Sequence, residues 1–348
     1  MQILANPDDS VFGSASSPQG EPTWQQIMKN AVRTADTLLE AVGLDGKSVP
    51  LAKPDGKFPV FVPQPYLQRI EQGNPSDPLL RQVLPLAEED FSPANFVTDP
   101  LSEGAATLGD GLLQKYQGRV LVVTTGACAI HCRYCFRRHF PYQTAPRGDE
   151  KWQATLEQIS GDPTVNEVIL SGGDPLTLAD EKLAFIFDAI AQIKHLRRIR
   201  IHTRLPIVIP QRVTDRLLEL MLTARSQHNL QITTVVHSNH PNEIDEPVTD
   251  ALKRLNQASS QLLNQSVLLA GVNDTADALV ALSQKLLAAE TLPYYLHQLD
   301  RVQGASHFEV DIETGKQIIQ QMRGRLPGFG VPRYVQEIAG EASKTVIV

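Results

Sequence analysis

The chain has 348 residues, 42% of them hydrophobic and 20% charged, and a formal net charge of −7, enough to bury a sizeable core as one large α/β domain or a domain with an appendage. The negative balance gives no general attraction to nucleic acid or to an anionic membrane. No run approaches the roughly 18 apolar residues of a membrane-spanning helix, and the start MQILANPDDSVFGS has neither a basic region nor an apolar one, so a cytoplasmic protein is expected.

Residues 1–110 are rich in Pro, Gly, Asp and Ser and carry a helical pattern over 24–42 and a shorter one over 65–72. Pro65 suits a first helical position and Gly73 a stop just past the end. This stretch reads as a helical N-terminal region that packs against something larger. From Gly118 onward, short β-branched apolar runs alternate with amphipathic segments. The runs cover 119–125, 167–173, 198–203, 231–237, 265–271 and 293–299; helices are predicted near 150–160, 181–194, 211–226, 245–257, 274–289 and 311–325.

Six such strand–helix units call for an α/β fold with a parallel sheet. A doubly wound open sheet satisfies the pattern. A curved partial (β/α)6 barrel over 111–330 is favoured, because polar residues and glycines recur at the C-terminal ends of several strands, where barrel active sites are built. A short C-terminal segment, 331–348, follows. No internal repeat or low-complexity tract stands out.

The three cysteines of the chain, Cys128, Cys132 and Cys135, stand in GACAIHCRYCFRRHF directly after the first of these strands. Their C-x3-C-x2-C spacing can hold three irons of a four-iron four-sulfur cluster and leave the fourth iron without a protein ligand. A structural zinc would need a fourth ligand such as His131, so zinc stays open at this point. Unconnected buried thiols normally scatter along a chain, and reduced, clustered thiols suit the cytoplasm. Ser171, Gly172, Gly173 and Asp174 end the second strand as SGGDPL, either as a plain turn or as a place where backbone groups approach a charged ligand. Arg204, His237 and Gln265 stand at the ends of later strands. Each alone is an ordinary polar residue; together they can line one pocket.

The strings CRYCFRRHFP, SGGDPL, RLPIVIPQR, HSNHPNE, LLNQSVLLAGVND and PYYLHQLD resemble, in order, those of the lysine 2,3-aminomutase family of radical S-adenosylmethionine (SAM) enzymes, from about residue 110 to the C-terminus. GNPSDPLLRQVLP extends the likeness into the N-terminal region. The chain is most similar to the short form that makes β-lysine for elongation factor P. The resemblance implies a radical SAM partial barrel, with the cluster on the three cysteines and SAM chelated by the open iron. The glycine-rich segment 171–174 would contact the SAM amino group, and Arg204, His237 and Gln265 would line its pocket.

That family also uses pyridoxal 5′-phosphate (PLP), held by a lysine near the C-terminus. The matching segment EIAGEASKTVIV nominates Lys344, with Gly340, Ala342 and Ser343 as small neighbours, although the family's longer glycine run is absent. From the residues alone, a lysine there is ordinarily a frayed solvent group. Tyr116, Arg119 and the nearby Lys115 match the region that helps hold PLP. Arg137 matches the anchor of the substrate carboxylate, with Arg138 as an alternative. Asp300 and Glu337 match the partners of the substrate ε-ammonium, Glu337 standing where free-lysine enzymes carry an aspartate.

The resemblance therefore implies conversion of L-lysine to (R)-β-lysine, with an electron-donating reductant and, indirectly, elongation factor P or its lysyl-transferring ligase as partners. A tail with the zinc-binding cysteines of the longer aminomutases is not seen before Val348, so their subunit arrangement is not carried over and the oligomeric state stays open. An aminomutase for glutamate is a rival that two carboxylates at the substrate end would disfavour. A non-catalytic iron-sulfur redox or sensor protein explains the cysteines but leaves Lys344, SGGDPL and the acidic pair without purpose.

Overall fold

The computed structural model describes residues 20, 22–46, 49–53, 58–109, 111–146 and 148–348; the expectation drawn from residues 1–14 lies outside them. Ten strands form one sheet in chain order: β1 Thr107–Gly109, β2 Leu112–Tyr116, β3 Arg119–Thr125, β4 Glu167–Gly172, β5 Arg198–Thr203, β6 Gln231–His237, β7 Gln261–Val267, β8 Leu292–His297, β9 Arg333–Gln336 and β10 Thr345–Val346. Strands β3 to β9 pair in parallel, and β1, β2 and β10 add antiparallel edges. Among the described residues four short helices precede the sheet: α1 Trp24–Lys29, α2 Ala35–Ala41, α3 Gln64–Leu67 and α4 Pro78–Arg81. The crossovers between parallel strands carry α5 Gly148–Ser160, α6 Asp180–Ala191, α7 Leu205–Val208, α8 Asp215–His228, α9 Glu246–Ala258, α10 Ala276–Ala288 and α11 Ile312–Arg323.

Six strand–crossover units are present, closed by a seventh parallel strand that the sequence reading did not foresee. β9 has only four residues, too short for a periodic signal. The strand expected at 265–271 is instead β7, Gln261–Val267. Its buried face includes Asn264 and Ser266, which look out of place in a strand core. Asn264 Oδ1 accepts from Ser238 N at 2.9 Å, and both Asn264 Nδ2 and Ser266 Oγ donate to Ser238 O. Hydrogen bonds satisfy these polar groups, so burial is tolerated. The helix expected over 24–42 is broken in two. Val32 leaves it to pair with Val62, and Thr34 caps the second piece through its hydroxyl. Pro65 falls at the second helical position of α3, after the N-cap Pro63.

The sheet separates an apolar outer face from a polar inner one. In β5, Ile199 and Ile201 are buried at 0% and 1% exposure, in one core with Leu183, Ile186 and Phe187 of α6. Each such side chain contributes about 1.5–3 kcal/mol on leaving water. The alternate residues Arg200 and His202 point the other way, into a cavity also lined from β2, β3, β4, β6, β7, β8, β9 and β10. One face reaching a common cavity from nine strands means that the sheet bends around it, as a partial barrel does.

The N-terminal region is bolted to this barrel through backbone contacts. His131 N donates to Phe61 O and Arg133 N to Gln82 O; Arg69 reaches the carbonyls of Ile207 and Glu243. Val97 bridges Val302.

At the end of β4 the chain passes so close to the cysteine loop that only glycine fits. Gly173 N donates to Thr125 O at 2.8 Å and Asp174 N to Ala127 O at 2.7 Å, and a Cβ on Gly173 would stand 2.2 Å from Ala127 O. Gly172 has φ +118°, a backbone state that side chains disfavour. These glycines let protein backbone approach protein backbone, and they also line the cavity. Gly173→Ala is therefore expected to push the 126–135 loop outward. After anaerobic reconstitution it should retain far-UV circular dichroism but lose most iron and iron-sulfur absorbance; full iron content would show that the loop can yield.

Candidate active site

The cavity inside the sheet has a volume of about 510 Å³. At one end, Cys128, Cys132 and Cys135 line its wall, on a loop held by the turn Cys135 N to Cys132 O, 3.0 Å. Burial pushes the Cys135 thiol up to about 12 and raises Cys128 as well; a bound cationic core would reverse this by favouring thiolates. Among the described residues no three His, Cys, Asp or Glu side chains converge on a single-ion site. His131, the suggested fourth zinc ligand, engages Pro59 O through Nδ1 at 2.8 Å and stacks on Phe58; burial brings its pKa down to about 4. A cubane spans a wider gap than one ion, and three thiols on one wall fit its donor chemistry.

Arg204 is the cation of this end. Its Nη1 donates to Cys132 Sγ at 2.7 Å, and Nη2 to Gln82 Oε1 and Glu243 Oε2, both at 2.8 Å. His237 Nε2 meets the Tyr134 hydroxyl at 2.9 Å, and Tyr134 accepts from Asn239 Nδ2 at 2.7 Å. Burial, then the Arg204 charge, brings the His237 pKa down to about 3, so it is a neutral ring at physiological pH. Gln265, paired with His237 in the β6–β7 register, lines the cavity beside it.

Asp174 lines the cavity as expected, but protein donors occupy both of its oxygens. Oδ1 accepts from Leu176 N and Thr203 Oγ1, and Oδ2 from Arg204 N and Leu205 N, all at 2.7–3.0 Å. With four donors its capacity is filled. It clamps the ends of β4 and β5 rather than offering oxygens to a cofactor.

The other end is built by a row of alternating charges. Lys344 Nζ pairs with Glu337 Oε2. Glu337 Oε1 accepts from Lys115 Nζ at 2.9 Å, and Lys115 meets Glu103 Oε1 at 3.1 Å. Glu103 receives Arg137 in bidentate fashion, two bonds of 2.7 Å, and Arg137 Nη1 donates to Ser171 Oγ at 3.0 Å. Burial acts to raise the Glu337 carboxyl, but Lys344 and Lys115 outweigh it and hold it at about 2. Arg137, the expected carboxylate anchor, thus gives its Nε/Nη2 edge to Glu103 and keeps Nη1 towards Ser171. Arg138, the alternative, pairs with Glu89 at 2.9 Å and donates to Gly304 O, outside the residues that line the cavity.

Asp300 lies at this end with no hydrogen bond to a cation. Burial first, then the nearby Glu337 charge, push its carboxyl up to about 7, with Lys344 and Lys115 pulling it part of the way back. Tyr116 and Arg119 line the same space, the guanidinium 4.7 Å from the ring centroid, with Arg119 Nε unpaired. Seven Lys or Arg residues against four Asp or Glu residues line the cavity, an internal cation surplus in a chain of net charge −7. Such a surplus suits anionic phosphate and carboxylate groups.

Several lining residues had escaped the sequence reading. Arg200 and His202 carry a signal, since β5 alternates apolar and polar residues where a parallel strand covered on both faces would be apolar throughout. Glu103, Tyr134 and His297 carry none, nor do Gln82, Asn239 and Glu243, which stand behind the lining and bond to Arg204 and Tyr134.

A partial barrel with three cysteines after its first parallel strand defines a class of protein, and residues 122–282 match the Radical SAM superfamily. The L-lysine 2,3-aminomutase of Haemophilus influenzae is 46% identical over 94% of this chain and 96% of its own length, and that of Escherichia coli 44% identical over 92% and 93%. The L-lysine 2,3-aminomutase of Acetoanaerobium sticklandii is 36% identical over 97% of this chain and 81% of its own. The chain belongs to the lysine 2,3-aminomutase family of radical SAM enzymes. It is an isomerase-class enzyme whose family cofactors are a 4Fe-4S cluster, SAM and PLP.

Asp300 gives a pH test. Its folded pKa lies above the unfolded value of 3.8, so between the two the folded chain binds more protons and stability falls as pH rises, reaching its full deficit above about 7. Asp300→Asn removes the deficit. In the cofactor-free protein its stabilisation should be larger at pH 8 than at pH 5 by about 2–3 kcal/mol, read from denaturant unfolding. An equal gain at both pH values would show that Asp300 is ionised at no cost.

Proposed function

We propose that this protein is a PLP-dependent L-lysine 2,3-aminomutase that makes (R)-β-lysine, for use in modifying elongation factor P. The observation that carries this reading is the single cavity with the three cysteines at one end and Lys344, Glu337 and Asp300 at the other. Cys128, Cys132 and Cys135 would hold the cluster, and the 171–173 strand end, Arg204, His237 and Gln265 the SAM. Lys344 would hold PLP, with Tyr116, Arg119 and Lys115 near its phosphate. When bound, the cluster and SAM supply a carbon-centred radical that takes hydrogen from an unactivated carbon, and PLP supplies the π-system through which nitrogen shifts.

The chain's own residues bind, orient and seal. Arg137 Nη1, steadied by Glu103 and Ser171, offers a guanidinium edge to the substrate carboxylate. Glu337 and Asp300 offer oxygens to the ε-ammonium. An ammonium beside Asp300 would favour its ionised form, so the pair is matched to a cation and would repel the side-chain carboxylate of glutamate. Phe58 and Leu101 of the N-terminal region, with Leu299, give the cavity apolar walls that exclude water from a reactive intermediate.

The likeness of the chain to the short-chain form supports elongation factor P as the destination of the product, with a lysyl-transferring ligase as its consumer. No helix among the described residues is long and apolar enough to cross a membrane, and we place the reaction in the cytoplasm, where thiols stay reduced.

Anaerobically reconstituted, reduced protein given SAM, PLP and L-lysine is expected to yield (R)-β-lysine by chiral chromatography with mass detection, and glutamate should compete poorly. No β-amino acid from lysine, or a preference for glutamate, would overturn the assignment.

A further inference from the structure

Lys344 does not stand free in the structure. Its ammonium is paired with Glu337, and the pair is poorly exposed, at 24% and 13% of side-chain surface. Glu337 has a second cation in Lys115, at 2.9 Å. Asp300 lines the same cavity wall within the influence of Glu337 and Lys344, and burial, then the Glu337 charge, raises its pKa. The same acidic groups are those the preceding section assigns to the ε-ammonium of the substrate. Both cations are primary alkylammonium groups on unbranched carbon chains, and so make the same demands of charge and hydrogen bonding.

We infer that Glu337, with Asp300 beside it, forms a binding position for a primary alkylammonium group, and that Lys344 itself fills this position until it is committed to the cofactor. An amine that holds PLP cannot at the same time neutralise Glu337, so the position opens when the cofactor is in place. The protein thereby carries an internal stand-in for its substrate's side chain, and lysine binds only after PLP. This rests on the reading of Lys344 as the PLP lysine and of Glu337 and Asp300 as the ammonium partners. The alternative is a purely structural ion pair; removing Lys344 would then leave Glu337 to Lys115 and create no affinity for an added amine.

Propylammonium chloride is the probe, titrated into full-length protein with its cluster assembled and PLP omitted, and followed by calorimetry and ligand-observed NMR. Lys344→Ala is expected to bind propylammonium at least tenfold more tightly than wild type, to show a thermal midpoint restored by propylammonium but not by tetramethylammonium, and to lose both effects when Glu337→Gln is added. Lys344→Met, which keeps the volume and removes the charge, replaces Lys344→Ala should that variant fail to fold, with methylammonium as its smaller probe. Equal affinity in wild type and variant, or binding that survives Glu337→Gln, overturns the inference. The turnover assay of the loaded wild type is independent. Turnover without amine binding in the variants removes only the stand-in, whereas amine binding without turnover removes only the assigned reaction.

Discussion

A continuous row of opposite charges, Lys344, Glu337, Lys115, Glu103 and Arg137, crosses the inside of the barrel and ends on Ser171. Each charge has left water, at a cost that its neighbours offset only while the row is unbroken. The members come from the C-terminal hairpin, β2, the segment before β1, the cysteine loop and β4. The row therefore registers five parts of the chain against one another. It also fixes which charges are available to a ligand, because every carboxylate in it already faces a cation.

The cysteine end rests on packing and hydrogen bonds of another kind. Asp174 joins β4 to β5 through four donors, Gly173 lets β4 touch the cysteine loop, and Arg204 ties Cys132 to Gln82 and Glu243. Gln82 belongs to the region before the sheet, so the N-terminal segment is part of the wall that holds the thiols. Tyr134, between two of the cysteines in sequence, meets His237 and Asn239 and extends the same network to β6.

Much of this was legible in the sequence for physical reasons. Long amphipathic helices and β-branched runs repeat with periods of 3.6 and 2, so the six strand–helix units could be placed within a few residues, except β7, whose buried Asn264 and Ser266 disguise it. The spacing of the three cysteines marked one end of the cavity. The far end was legible only through resemblance, since Lys344, Asp300 and Glu337 have no local pattern. Glu103 and Gln82 were invisible, because what makes each important is a partner 34 or 122 positions away. The segment 171–174 was noticed for its composition, but its contacts with the cysteine loop and with β5 were not legible: a turn that receives a ligand and a turn that receives another backbone have the same composition.

Lys344 is held to the barrel by a short stretch of chain: the two-residue β10, the bond from Ile347 N to Tyr334 O, 2.8 Å, and its own ion pair with Glu337. Ile347 and Val348, half-buried, pack against the main core beside Tyr334. Loss of this short stretch would take away Lys344, the residue we propose holds PLP, and leave the parallel strands and their crossover helices in place. Circular dichroism, which counts helix and strand, is blind to such a loss, so the integrity of a preparation is a question for mass spectrometry of the peptide that carries Lys344.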